Sequence, residues 1–254
     1  MEIGLTAGYS YYIGDINPYT HFGPRKKLAY GGLYRINLTK RHVIRFQGLR
    51  VNVEAFDSDN SNPNLVNRNL NFRNKMTELS MLLEINFHPY GLGEIGEGFT
   101  PYVFGGLAYF TMNPETQVNG NYVELIPLAT EGQGSEDGPA AYKRGQMAIP
   151  FGVGIKTGLG KRLAFNLEWG IRRTWTDYID DVSGVYADPD VVRDISGDLG
   201  RELADRTIVP IGFNGDNTGM ARGNPENRDW YFYSGVILSY RLGKNDKGCW
   251  EGGR

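Results

Sequence analysis

The chain has 254 residues, a formal net charge of −2, 35 glycines, 16 tyrosines and one cysteine. The near-neutral charge gives no basic footprint for nucleic acid, no apolar run of about eighteen residues could make a transmembrane helix, and a lone cysteine excludes an internal disulfide. Such a length can bury one large core, and the glycine and tyrosine content, with little heptad patterning, favours an all-β domain.

Glu2–Tyr12 alternates: Ile3, Leu5, Ala7, Tyr9 and Tyr11 share one face, against Gly4, Thr6, Gly8 and Ser10. That period of two marks a β-strand. Ile13–Pro24 is a Gly/Asp/Asn/Pro loop. Lys27–Leu38 alternates again and sets Arg35 and Asn37 against Tyr34 and Ile36. The short turn Thr39–Arg41 leads into Val43–Phe56, whose apolar phase passes from Ile44 and Phe46 to Leu49, Val51 and Val53. One inserted residue flips a strand's phase, so a β-bulge is expected near Gly48, turning Arg50, Asn52 and Glu54 inward.

Asp57–Asn74 reads as a long polar loop. Glu78–Phe87 is the fourth strand, with Leu79, Met81, Leu83, Ile85 and Phe87 opposite Glu78 and Glu84. The Gly/Pro connection His88–Pro101 leads to Tyr102–Phe110, and Met112–Arg144 is a second long polar excursion. The sixth strand carries Met147, Ile149, Phe151, Val153 and Ile155; Pro150 within it is tolerable in a closed ladder only near a rim or at a bulge. The turn Gly158–Arg162 precedes the clearest strand, Leu163–Ile171, where Leu163, Phe165, Leu167, Trp169 and Ile171 oppose Ala164, Asn166, Glu168 and Gly170, and Arg172 continues the second row. Asp180–Arg228 is the longest loop, with a short helix expected over Val191–Ala204. Trp230–Leu242 is the last strand and Gly243–Arg254 a polar tail.

These eight strands have connections that alternate long and short. An even antiparallel set with long extracellular loops and short periplasmic turns is the pattern of an outer-membrane β-barrel. The expected organisation is a transmembrane barrel over 1–242 and a periplasmic tail over 243–254, both termini in the periplasm. A signal peptide is then expected in the precursor, outside this numbering. The apolar rows would face lipid, with an aromatic rim of Tyr11, Tyr30, Phe110, Trp175, Tyr178 and Trp230 at one end and Phe87, Tyr102 and Tyr240 at the other. Arg35, Arg50, Glu78, Glu84, Glu168 and Arg172 would fill the bore, where buried charges must be paired. A soluble ligand-binding barrel would reverse the two faces.

The chemistry-bearing residues are few. His21, His42 and His88 lie in or beside loops with no zinc spacing. Asp177, Asp180 and Asp181 could bind a cation or serve a rim protease, although aspartates at a strand-to-loop junction commonly only form turns. No catalytic set, metal or cofactor is expected, and the chain reads as a non-enzyme. Topology puts Cys249 and Trp250 in the oxidising periplasm, where the thiol could bridge to another chain. A docking face is expected from the short turns and tail: Thr39, Lys40, Arg41, Tyr90, Lys161, Arg162, Cys249 and Trp250. A rim-located enzyme and a ligand-binding barrel are the alternatives.

Tyr11–Pro18 (YYIGDINP) resembles the YxGDLNP-like opening of the PorG family of Bacteroidetes outer-membrane proteins. Asn69–Phe72 followed by Glu78, Thr130–Gly134, Asp177–Tyr186, and Arg222–Asn224 with Asp229–Tyr231 are similar to its other markers, in order along the chain; Leu125–Pro127 departs from the family's segment. The resemblance implies an eight-stranded barrel of the type IX secretion machinery, without enzymatic activity, that associates with the periplasmic ring of the PorK lipoprotein and PorN.

Overall fold

The computed structural model describes residues 1–94, 96–212 and 215–243. Among the described residues ten strands form: β1 (Glu2–Ile13), β2 (Lys27–Asn37), β3 (His42–Phe56), β4 (Asn71–Asn86), β5 (Phe99–Thr111), β6 (Pro114–Val118), β7 (Asn121–Glu124), β8 (Gly145–Leu159), β9 (Leu163–Thr174) and β10 (Trp230–Arg241). Eight make the barrel, in the ring order β3-β2-β1-β10-β9-β8-β5-β4, and the β3–β4 ladder from His42↔Ile85 to Phe56↔Asn71 closes it. Closure leaves the barrel wall without a free edge, so each of its strands pairs on both sides.

Side-chain parity sorts the wall into two environments. Leu5 is 74% exposed, Leu79 65%, Leu107 57% and Leu238 52%, while Arg35, Arg45, Glu78, Glu84 and Arg172 on the inner rows are fully buried. An apolar belt of this extent around an ionised interior fits a bilayer and not water. This is a closed eight-stranded antiparallel barrel of the outer-membrane type.

The expected bulge at Gly48 is absent. The β2–β3 and β3–β4 registers run through Gly48 without a break, as Gly32↔Gly48 and Gly48↔Leu79. What changes is the surrounding medium. β3 and β4 have 15 and 16 residues, more than the 9–11 or so that cross a bilayer. Past Gly48 the exterior is polar, and the inward Leu49, Val51 and Val53 join Phe72, Met76, Phe110, Ile179 and Tyr231 in a closed apolar core. Arg50 therefore stays on the outer row, bonded to Thr77 Oγ1 at 2.6 Å, and is not a bore residue. Asn52 and Glu54 share that outer row; Lys27 and Arg25 cover Glu54 at 2.8 and 3.5 Å.

Pro150 sits at neither a rim nor a bulge. The β5–β8 ladder stops at Gly105↔Phe151 and resumes in the same register at Ala108↔Ala148, while Pro150↔Arg172 keeps its pairing on the β9 side. The missing N–H is thus absorbed as a local gap in one seam.

The long connections leave from one end of the barrel. The short turns and both ends of the described chain share the other, where Leu242 N donates to Met1 O at 2.9 Å. The long loops are folded rather than open. They carry α1 (Pro63–Arg68), the β6–β7 hairpin and α2 (Pro189–Ala204), which includes the expected helix and breaks its geometry at Gly197.

Candidate functional site

Three regions carry polar side chains in a fixed arrangement: the bore, the long-loop cap above it, and the short-turn end. In the bore, Glu84 accepts from Arg35 Nε at 3.0 Å and Arg45 Nη1 at 3.0 Å, and also pairs with Lys156. Glu168 accepts from Arg45 Nη1 at 2.5 Å and from the Tyr102 hydroxyl at 2.7 Å. Glu78 takes Arg172 Nε at 3.2 Å and the Tyr231 hydroxyl at 2.9 Å, and Glu2 lies 3.6 Å from Arg35 Nη1. Four carboxylates (Glu2, Glu78, Glu84, Glu168) thus face four cations (Arg35, Arg45, Lys156, Arg172), and the interior is neutral. Such pairing offsets the several kcal/mol that burying each ion costs.

Arg35, Glu78, Glu84, Glu168 and Arg172 lie in this network. Arg45, Lys156 and Glu2 join it unforeseen, although each occupies an inward parity position, Arg45 and Glu2 between outward apolar residues and Lys156 next to Ile155, the signal that could have found them. Glycines on the same rows make room for the large rings. A Cβ on Gly170 would stand 2.7 Å from the Phe104 ring, and one on Gly154 2.5 Å from that of Tyr102.

Above the bore, the loop carboxylates form a second network. Asp57 holds Arg68 through two bonds of 2.7 and 2.8 Å, and Arg68 donates onward to Arg222 O and Asp15 O at 2.6 and 2.9 Å. Arg222 Nη1 donates to Glu131 at 3.0 Å and to Asp181 O at 2.6 Å. Tyr12 Oη lies 2.5 Å from Asp180 Oδ2 and 2.8 Å from Asp229 Oδ1. One hydroxyl proton cannot serve both, so a carboxyl in this trio carries a proton. Burial first, then neighbouring aspartates, pushes Asp180 and Asp229 well above the ordinary carboxylate range.

Asp177, Asp180 and Asp181 do not converge on one point. Asp180 is held by Tyr12 and Val182 N, Asp181 by Thr130 and Tyr142, and Asp177 has no partner for either oxygen among the described residues. Burial raises Asp177 to about 7 and Asp181 to about 6. Among the described residues no group of three or more His, Cys, Asp or Glu could hold a metal ion. His21 bonds Tyr11 at 3.3 Å, and His42 bonds Thr39 at 3.1 Å at the opposite end.

Several rim expectations need correction. Tyr102 and Phe110 point inward, one onto Glu168 and the other into the apolar core, because they fall on the inner parity of β5; Tyr109 and Phe99 occupy the outer row. Tyr178 stacks on Tyr142 beneath the loops with centroids 4.4 Å apart, away from any rim. Tyr11 keeps the outer face but is covered by Phe232, His21 and Phe22. Trp230 stays on the outer row, edge-on to Phe151. Tyr30, Trp175, Phe87 and Tyr240 are exposed outside.

At the short-turn end Thr39, Lys40, Arg41, Lys161 and Arg162 are exposed. Lys40 is ion-paired with Glu94 at 2.7 Å and Glu97 at 2.9 Å. Tyr90 is not part of that surface: residues 88–94 fold into the mouth, with Tyr90 and Leu92 buried against Ala164. Cys249 and Trp250 lie outside the described residues.

A family model described as "Domain of unknown function (DUF6089)" matches residues 1–193. No curated protein matches the chain. Among solved structures, the N-terminal β-barrel domain of OprF from Pseudomonas aeruginosa is 12% identical, the match covering 94% of this chain and 96% of that chain with a TM-score of 0.37. Neisserial surface protein A is 8% identical over 95% of this chain and 96% of that one, TM-score 0.41. OprG from Pseudomonas aeruginosa is 9% identical over 95% and 96%, TM-score 0.42.

Proposed function

The chain belongs to the DUF6089 family, and we propose that it is a non-catalytic outer-membrane component of the type IX protein secretion machinery that ties the periplasmic PorK–PorN ring to the bilayer. The motif resemblance to PorG supplies the pathway. The observation that carries the anchoring role is a bore filled along its length by Arg35, Arg45, Glu84, Glu168 and Lys156, with loops folded over one mouth and Tyr90 over the other. A plugged cylinder holds position in a membrane and does not conduct. The PorG-like markers support a structural part as well, since within the cap Tyr12 bonds Asp180 and Asp229, Arg222 bonds Glu131 and the Asp181 carbonyl, and Asp15 accepts from Asn224 N. In this reading Thr39, Lys40, Arg41, Lys161 and Arg162 face the periplasm and receive the ring, and Cys249 in the tail links covalently to a partner thiol.

The test is photo-cross-linking from residue 161 or 162 in intact cells. Capture of PorK or PorN from these positions, and not from Tyr19 in the long loops, supports docking. Capture of neither ring protein from any short turn overturns it.

A further inference from the structure

Residues of the connections 14–26, 57–70, 205–212 and 215–229 line a groove of about 480 Å³ on the outer surface of the cap. Its character differs from that of a lipophilic pocket. Asn62, Asn64, Asn224 and Asn227 stand along it, and Tyr19 at its edge is 84% exposed. The Asn64 and Asn227 side chains make no hydrogen bond to described residues, whereas Asn67 and Asn217 are spent on the backbone of 209–212 and fix the wall.

The floor holds Arg222, which is 3% exposed. Its Nε donates to Ala204 O and its Nη1 to Glu131 and Asp181 O, and none of its bonds to described residues uses Nη2. Arg68 beside it spends four of its five N–H groups on Asp57 and two carbonyls. Both guanidiniums are therefore neutralised, and what reaches the groove is a directional donor without surplus positive charge. Phosphate or sulfate would find nothing to balance it here.

We propose that this groove binds a neutral, hydroxyl-rich ligand, a glycan. A sugar hydroxyl both donates and accepts, and a primary amide offers two donors and an acceptor in one plane. An exposed tyrosine ring gives a flat apolar face for a sugar's C–H side while its hydroxyl stays wet. An extended peptide that pairs by its backbone needs a sheet edge, and the edge strand β7 (Asn121–Glu124) does not line the groove. The groove lies at the end opposite the short turns, so the site is independent of ring docking and stands whether or not that reading does.

The experiment uses the full chain in detergent micelles, with neutral oligosaccharides (maltohexaose, mannohexaose, chitohexaose), a heparin-derived acidic oligosaccharide, and purified lipopolysaccharide. A neutral probe should bind, and Asn64→Ala with Asn227→Ala, or Tyr19→Ala, should weaken it by about tenfold or more. These side chains hold nothing else in place, so the heat-modifiable gel shift of the folded barrel should persist. Lipopolysaccharide binding that its own delipidated sugar chain competes away would identify a glycolipid as the source, and binding of free hexaoses alone a soluble glycan. Binding of neither a neutral hexaose nor sugar-competed lipopolysaccharide, binding of the acidic probe only, lipopolysaccharide binding not competed by sugar, or binding indifferent to both variants overturns the proposal.

Discussion

Arg45 and Glu168 stand on strands half the ring apart, β3 and β9, and meet inside the bore with Nη1 2.5 Å from Oε2. This contact spans the cylinder, so it ties opposite walls rather than neighbours. Glu84 approaches the same Nη1 at 3.0 Å, so Arg35, Arg45, Glu84, Lys156 and Glu168 form one linked cluster, with Arg172 and Glu78 a separate pair.

Cutting one side of that contact should cost more than removing both. Glu168→Ala leaves a buried guanidinium short of a partner and is expected to lower unfolding free energy by about 3–5 kcal/mol, whereas Arg45→Met with Glu168→Leu should recover most of the loss. Urea titration of folded protein in micelles, read by the gel shift, measures both. A double variant as unstable as the single would mean that the pair does not hold the bore.

The cap should loosen as pH rises. Burial lifts Asp15 and Asp177 to about 7 and Asp181 to about 6. A carboxyl raised in the fold stabilises it while protonated. Its contribution is complete below about pH 4, where unfolded aspartates also keep their protons, and is lost as pH passes through 6 to 7. Amide exchange in 175–184 is expected to quicken across that window, and Asp177→Asn should flatten the rise. Protection that grew from pH 5 to 8 would contradict this.

The uninterrupted register at Gly48 makes a prediction opposite to that of a bulge. A Cβ there would find only Leu79 Cδ2 at 3.5 Å, so Gly48→Ala should be neutral or stabilising, within about 1 kcal/mol. Leu49→Asn, one residue on and pointing into the apolar core, should destabilise by about 2 kcal/mol or more. The same urea titration reads both; a tolerant Leu49 with an intolerant Gly48 would restore the bulge.

The wall was legible from alternation alone: the strand around Leu163–Ile171, its lipid-facing row and the buried Glu168 and Arg172 all follow from period two. The rest was hidden for identifiable reasons. Arg50 was misplaced because an apolar pattern that changes sides can mean a slipped strand or a strand leaving the bilayer, and sequence does not mark where the bilayer ends. Tyr102 and Phe110 were placed by nearness to strand ends, where parity would have sent them inward. The β6–β7 hairpin did leave a sign in Asn119-Gly120, both with positive φ, the favoured pair for a two-residue turn. The cap carboxylates resisted altogether, since contacts such as Tyr12 with Asp229 join opposite ends of the chain.

The inside-out barrel is tested most directly by single spin labels placed at Leu5, Leu79, Leu107, Leu167 and Leu238 on a Cys249→Ser background in liposomes. Oxygen should reach each label readily and a water-soluble nickel chelate poorly, with labels at Thr39 and Lys161 reversing that ratio. Free collision of the chelate with the five leucine positions would contradict the account.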